Sequence, residues 1–292
     1  MPLFLENINL KPILKWVGGK TQLLKVLTAL LPNEPIINYC EPFFGGGAML
    51  FNIKPFVAFI NDSNKELINT YNIIKTCPRE LITELSKYEN TPEFYYKIRS
   101  VDRNINEFQK LSPIQRAARF IYLNKTCFNG LYRENSHGQF NVPFGKYNNP
   151  NFINETEIFN LAYYFNLSNI YFSSYDFEKC IGKIPPNTFV YMDPPYDPVS
   201  KTSNFTSYTA NSFNKIDQIR LVSCCNSLTQ RGIKFMLSNS DTEFIRSIYR
   251  NYNITEVIAR RSINCNGNNR GCVSELIIRN YDYTNNHHRY II

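Results

Sequence analysis

The chain has 292 residues, 43% of them hydrophobic, and carries 32 Lys and Arg against 24 Asp and Glu, a net charge of +8. That length suits one large α/β domain or a main domain with a smaller insert, and no run approaches the ~20 apolar residues of a membrane span. The cationic excess fits a polyanionic partner, because each neutralised phosphate releases condensed counterions; a basic solvated surface carries the same signature.

Met1 to Lys15 lacks a basic region followed by a clean apolar stretch, so no secretory signal is read and an intracellular, soluble protein is expected. Thr21 to Leu31 has the spacing of a short amphipathic helix, stopped by Pro32. Ile36 to Cys40 and Phe56 to Ile60 are short apolar runs of the kind found in buried parallel strands. Ser63 to Lys75 puts Leu67, Ile68, Tyr71 and Ile74 on one helical face, and Pro78 to Lys110 is charged, aromatic-rich and mostly helical in pattern. Ser112-Pro113 is a helix start, with Ser as N-cap and Pro at the first helical position, and the helix runs on through Leu123. Asn129 to Pro150 is a long loop of Gly, Asn, Pro and aromatics.

Strand patterns return at Ile170 to Ser173, Phe189 to Met192 and Lys234 to Ser238, with helices at Ile216 to Gln230 and Thr242 to Tyr249. Asn253 to Ile258 and Val273 to Arg279 read as a final antiparallel pair. Alternating strands and helices predict an α/β fold with a parallel sheet and a ligand site at the carboxyl ends of its strands. A helical insertion of about a hundred residues interrupts it. The eight cysteines form no CxxC pair, and two of the three histidines, His287 and His288, lie in the tail. Zinc spacing is missing, so no metal is expected, and the cysteines are read as buried reduced thiols.

Chemistry concentrates first in Asp193-Pro194-Pro195-Tyr196, directly after the strand ending at Met192. The prolines stiffen the turn, so an acid, a rigid carbonyl and an aromatic face converge at a strand end. That set suits an exocyclic amino group on a planar ring: Asp193 and the Pro194 carbonyl each accept one amino hydrogen, and Tyr196 stacks on the ring. A strand-end turn with an incidental Asp is the plainer alternative. Next comes Glu41-Pro42-Phe43-Phe44-Gly45-Gly46-Gly47, whose glycines let backbone approach a ligand where a Cβ would collide; a tight strand-to-helix turn explains it equally well. Asp62, after the strand ending at Ile60, stands roughly where an acid holds ribose hydroxyls, or it caps the following helix. Lys15-Trp16-Val17-Gly18-Gly19-Lys20 holds the only tryptophan and precedes the first helix.

In content and order these motifs resemble the Dam-type, α-class (D12) DNA adenine-N6 methyltransferases, from about Lys11 to Tyr281. The resemblance implies a Rossmann-like class I methyltransferase sheet with helices on both faces. Residues 1–76 and 165–292 would form the S-adenosylmethionine-binding catalytic domain and 77–164 an inserted target-recognition domain. Trp16, Lys20, Phe43 and the Gly45, Gly46, Gly47 loop would line the cofactor site. Asp62 would hold the ribose, Asp176 and Phe177 would contact the adenine, and Asp193 would serve both the methionine end and catalysis, with Pro194 and Tyr196.

A base inside a duplex cannot reach such a pocket, so it must be extruded. Phe128 and Leu131 then read as apolar wedges around Asn129, and Arg133 as a donor to a guanine edge. Asn135 is placed with them in the recognition segment, and Pro143 against a thymine methyl. Taken without the resemblance, Phe128 and Leu131 read more simply as packing beneath the loop. The likeness implies GATC as the site and double-stranded DNA as the partner.

The polar stretch Asp197 to Ser212 is consistent with a lid, and Arg260 to Gly271 reads equally as a loop that meets phosphates or as a merely solvated one. Cytosine N4, RNA or a protein amide are the rival acceptors. No Pro-Cys dipeptide occurs, which excludes the nucleophile of a cytosine-C5 enzyme. A silent DNA-binding scaffold is disfavoured by the intact Asp193, Pro194 and Tyr196. No nuclease-sized region is present, so a cognate restriction endonuclease would be another chain.

Overall fold

The computed structural model describes residues 8–199, 213–260, 272–282 and 290–291. After a 3-10 turn at Lys20–Gln22 and helix α1 (Leu24–Ala29), strands β1 (Asn38–Glu41) and β2 (Val57–Asn61) flank α2 (Ala48–Ile53). Helices α3 (Lys65–Thr76), α4 (Pro78–Leu85), α5 (Pro92–Ser100), α6 (Ile105–Lys110), α7 (Pro113–Thr126) and α8 (Glu155–Leu167) follow before β3 (Asn169–Ser173). Then come α9 (Phe177–Gly182), β4 (Thr188–Met192), α10 (Lys215–Gln230), β5 (Phe235–Ser240), α11 (Glu243–Ile248), β6 (Asn253–Arg260), β7 (Cys272–Arg279) and the short β8 (Tyr290–Ile291).

The strands form one eight-stranded sheet in the order β3-β2-β1-β4-β5-β7-β6-β8. The first five in this order pair in parallel, and β7 runs antiparallel between β5 and β6. The chain builds outward from β1 to β3 on one side, then returns to lay β4 against the other side of β1. That reversal opens a crevice beyond the carboxyl ends of β1 and β4. Cys40 lies opposite Val190 in this pairing, so the segments leaving at Glu41 and Asp193 emerge side by side.

Alternation explains why the central strands read as continuous apolar runs. Successive side chains point to opposite faces. Tyr39, Phe189, Tyr191 and Met236 enter the core shared with α1–α5, α7 and α8, whereas Cys40, Val190, Met192 and Leu237 enter the core under α9, α10 and α11. The predicted layered α/β sheet with helices on both faces is therefore the observed one. Among the described residues, no helix is long and apolar enough to cross a membrane. Cys40, Cys127, Cys180 and Cys225 are buried free thiols, whereas Cys77 and Cys224 are free but only half-buried.

Local chemistry sets the helix starts. Ser112 and Gln115 form a reciprocal capping box at α7, with Pro113 in the first turn. The expected helix over Thr21–Leu31 is shorter, because a 3-10 turn occupies its beginning. Helix α8 is not visible in the sequence pattern: it buries Ile158, Leu161 and Phe165 yet exposes Phe159, Tyr163 and Leu167, so apolar residues ring it and blur the period. It spans position 164 and packs on α3 and β3.

Within the long loop after α7 the chain makes a hairpin, with antiparallel bridges Cys127–Phe144 and Glu134–Phe140. Asp102 accepts from Phe140 N at 2.9 Å while pairing with Arg119 at 2.8 Å, and the Tyr95 hydroxyl donates to Val142 O. The hairpin is thereby fastened to the helices beneath it. Buried Asn124 joins it to the N-terminal segment: its amide accepts from Lys15 N and donates to Lys15 O, both at 2.8 Å, and reaches Gly130 O. Gly130 has φ 63°, and a Cβ there would meet Lys15 Cδ at 2.2 Å, so only glycine fits. Replacing Asn124 by Leu leaves buried backbone groups without partners. The expected loss is about 1–3 kcal/mol of unfolding free energy. Urea denaturation checks it, and an unchanged midpoint would show that the clamp contributes nothing.

Candidate active site

The crevice between β1 and β4 brings Lys20 together with Asp193 and Tyr196. At the end of β4, Asp193 lies 2.9 Å from Lys20 Nζ, which also donates to Gly18 O at 2.8 Å. The same ammonium sits 4.7 Å from the centre of the Tyr196 ring. The Tyr196 hydroxyl donates to Glu275 on β7 at 2.8 Å, which fixes the ring from behind. Burial pushes the Asp193 carboxyl above the usual carboxylate range, Lys20 opposes the shift, and Glu275 adds to it. Desolvation, reinforced by Asp193 and Glu275, raises the Tyr196 phenol well above its ordinary value.

The turn after β4 is held from two sides. Gln218 on α10 donates to Pro195 O at 3.0 Å and accepts from Asn239 Nδ2 at 3.0 Å. Buried Asp197 accepts from the Thr242 hydroxyl at 2.8 Å, while Ser240 donates to Asp197 O at 2.6 Å. The backbone through Asp193 and Tyr196 is thus clamped to β5 and α10. Positions 200–212 of the expected lid and 261–271 of the expected phosphate loop lie outside the described residues.

Across the crevice, the glycine loop after β1 is shaped by its protein neighbours. Gly45 has φ 52°, and a Cβ on it would lie 2.7 Å from the Trp16 indole. A Cβ on Gly47, at φ 77°, would strike the Phe44 ring at 2.5 Å. The glycines admit Trp16 and Phe44, a reason that the sequence could not display. Trp16 stacks in turn on Tyr132, with centroids 5.5 Å apart and planes at 18°.

Asp62 accepts from Gly45 N and from Asn64 N, each at 2.9 Å, with one oxygen for each. It locks the glycine loop to the start of α3, whose N-cap is Asn64. Burial raises the Asp62 carboxyl and these hydrogen bonds work against the rise. Next to it, Asn61 satisfies its whole amide by joining Pro42 O, Tyr175 O, Ser173 Oγ and Tyr175 N, which ties together the exits of β1, β2 and β3.

On the α9 side, Phe43 packs against Phe177 and Phe213 at 5.4 and 5.8 Å. Asp176 caps α9 through Glu178 N and pairs with Arg220 at 2.9 Å. Asp176 and Phe177 therefore flank Phe43, although the carboxylate of Asp176 is engaged with protein.

The hairpin residues divide. Phe128 is 50% exposed, Asn129 is exposed in the left-handed region at φ 55°, and Pro143 is exposed. Arg133 is exposed with Nε donating to Asn141 at 2.8 Å. Leu131 is half-buried against the core. Asn135 turns its amide into the hairpin, accepting from His137 N and Gln139 N and donating to Gln139 Oε1.

Sequence reasoning missed Glu275, Gln218, Tyr132 and the part played by Glu41. Glu41 is buried, accepts from the Tyr39 hydroxyl at 2.8 Å, and has its carboxyl raised well above the usual range by desolvation, partly opposed by that bond. Only the position of Glu41, inside an apolar strand end, hinted at this.

A family model and several relatives are similar to this chain. The model for the D12 class of N6 adenine-specific DNA methyltransferases matches residues 16–263. The type II methyltransferase M1.LlaDCHI of Lactococcus lactis subsp. cremoris is 44% identical over 94% of this chain and 97% of its own length. M.MjaIII of Methanocaldococcus jannaschii, also a type II methyltransferase, is 43% identical over 94% of this chain and its full length, 100%. The DNA adenine methylase of Escherichia coli is 37% identical over 91% of this chain and 94% of its own.

Glu41 gives a pH test of the buried acids. Its folded carboxyl is raised, so its share of stability is present below the unfolded value and is lost as pH rises towards the folded one. Glu41→Gln carries no such slope. The variant should therefore gain stability relative to wild type as pH increases above about 4.3, the ordinary glutamate value. Urea midpoints measured across pH 4 to 8 check this, and parallel curves would refute it.

Proposed function

We propose a specific reaction for this chain, which belongs to the D12 class of N6 adenine-specific DNA methyltransferases: a methyl group passes from S-adenosylmethionine to N6 of an adenine extruded from duplex DNA, within GATC. The observation that carries the reading is that Asp193 and the Tyr196 ring meet one ammonium, that of Lys20, at the carboxyl end of β4, where β1 exits alongside into the loop of Gly45 to Gly47.

The residues present fit the cofactor. Acids at Glu41, Asp62 and Asp193 suit its cationic sulfonium and amino groups and its ribose hydroxyls, Lys20 suits its carboxylate, and Phe43 with Phe177 offers an aromatic wall for its adenine. When bound, it supplies a methyl group on an electrophilic sulfur.

The chain's own residues do the rest. Extrusion of the target base costs a few kcal/mol of unstacking and unpairing. The freed adenine stacks on Tyr196, whose ring is fixed through Glu275. Asp193 and the Pro194 carbonyl accept the two amino hydrogens, which draws the nitrogen out of conjugation and aims its lone pair. Holding the reactants in line supplies much of the acceleration. The proton leaves once methylation has made the nitrogen acidic, so no strong base is required.

Site choice falls to the inserted region, 77–164. Arg133 bonds a guanine edge, Phe128, Asn129 and Leu131 brace the gap in the duplex, and Pro143 meets a thymine methyl. Asn135 supports this surface by ordering the turn. The basic surface of the chain meets phosphates. A cognate restriction endonuclease, where there is one, is another chain.

Labelled-methyl transfer onto two matched duplexes tests the reading, one containing GATC and one with its adenine replaced. Incorporation should occur in the first alone; incorporation in both would overturn the site. Asp193→Ala should lower turnover by on the order of 10²–10³-fold or more, with DNA binding kept; retained turnover would refute the assignment of the site. Arg133→Ala should lose about 1–3 kcal/mol of discrimination at one base pair, measured as relative kcat/KM on duplexes altered one position at a time.

A further inference from the structure

Lys20 stands where a target amino group would bind. On the reading of Asp193 and Tyr196 given above, we propose that Lys20 is a placeholder, releasing both groups when the α-carboxylate of the cofactor draws it away. The base is then admitted to the pocket only after the cofactor.

The geometry is that of substitution. An ammonium and an adenine amino group are both nitrogen donors, and Lys20 Nζ donates to Asp193 Oδ1 at 2.9 Å. It also lies over the Tyr196 ring at 4.7 Å, on an aromatic face that a stacked purine would cover. One group thus occupies a hydrogen-bond acceptor and a stacking surface that the reading assigns to the base. Lys20 is 6% exposed, so the contact is an enclosed one. Asp193 itself is less enclosed, with 20% of its side chain exposed towards solvent.

Lys20 would also be misplaced during transfer. A nitrogen accepting a methyl group gains positive charge, and a second cation held on the same carboxylate opposes that gain. Departure of the ammonium removes the repulsion and restores an acceptor. The four-carbon stem of lysine permits such a swing, unlike the planar fork of arginine.

Charge supplies the trigger. The crevice is lined by Glu41, Asp62, Asp193 and Glu275, so a cation there already has acidic neighbours. A methionine end brings a new anion and, with its amino group, a cation that takes over part of the acidic field. Lys20 can then exchange Asp193 for the carboxylate without becoming an unpaired buried charge, which would be strongly unfavourable.

The test measures affinity by fluorescence anisotropy for two duplexes that the enzyme's target site defines. One carries adenine and the other purine, which lacks only the amino group, at the methylated position. Each is titrated alone, with S-adenosylhomocysteine, which keeps the carboxylate and has no methyl to give, and with 5′-methylthioadenosine, which lacks the amino-acid end. For wild type, the preference for adenine over purine should rise about tenfold with S-adenosylhomocysteine. It should stay at its starting value with 5′-methylthioadenosine. Lys20→Met should show the raised preference with no addition, and should lose affinity for S-adenosylhomocysteine more than for 5′-methylthioadenosine.

A wild-type preference that is the same with and without S-adenosylhomocysteine overturns the placeholder, whether or not the variant folds. So does a folded Lys20→Met that still needs S-adenosylhomocysteine for its preference. Either result, with methyl transfer abolished by Asp193→Ala, leaves the proposed reaction standing. Turnover retained by Asp193→Ala would instead remove the reading of the site on which the placeholder rests.

Discussion

Parallel pairing of β1 with β4 determines where everything else in this protein can be. The chain adds β2 and β3 on one side of β1 before it returns to the other side, so the loops leaving β1 and β4 diverge to opposite faces and leave a crevice between them. Glu41 and the glycine loop line one side, and Asp193 to Tyr196 the other. The antiparallel β7 reaches across β5 and delivers Glu275 behind Tyr196. Residues more than two hundred positions apart in sequence, Lys20 and Glu275, thereby act on one acid.

Such a crevice is costly to build, because Glu41, Asp62 and Asp193 are all moved out of water and all have raised carboxyls as a result. The structure offsets the cost locally: a tyrosine hydroxyl on Glu41, two backbone N–H groups on Asp62, an ammonium on Asp193. Only the last partner is carried on a long, intrinsically flexible stem. Desolvated acids gathered at strand ends beside a rigid turn are the mark of a functional site. The chain belongs to the D12 class of N6 adenine-specific DNA methyltransferases.

The hairpin and the crevice are also joined mechanically. Tyr132 lies between Leu131 and Arg133 in the hairpin, and its ring stacks on Trp16, which fills the space that Gly45 leaves open. Its hydroxyl bonds Glu134. From the opposite side, Asn124 holds both Gly130 and the backbone of Lys15. The hairpin, the tryptophan segment and the glycine loop therefore form one packed stack rather than three independent loops.

Much of this was legible in the amino acids themselves. Continuous apolar runs marked β1, β2, β4 and β5, because strands buried on both faces carry apolar residues at successive positions. Ser112-Pro113 marked the start of α7, and Asp193-Pro194-Pro195-Tyr196 marked a stiff turn at the end of β4, because capping and proline rigidity are local properties. Helix α8 was hidden by apolar residues on its exposed side, and the hairpin by a composition that reads as loop. Which partner each polar group takes was decided only by the tertiary structure. Asp62 meets Gly45, Asp176 meets Arg220, Asn135 folds into its own turn, and Lys20 closes on Asp193. A hydrogen bond or ion pair acts over about 3 Å, and sequence order does not encode distance at that scale until the sheet has brought its strands together.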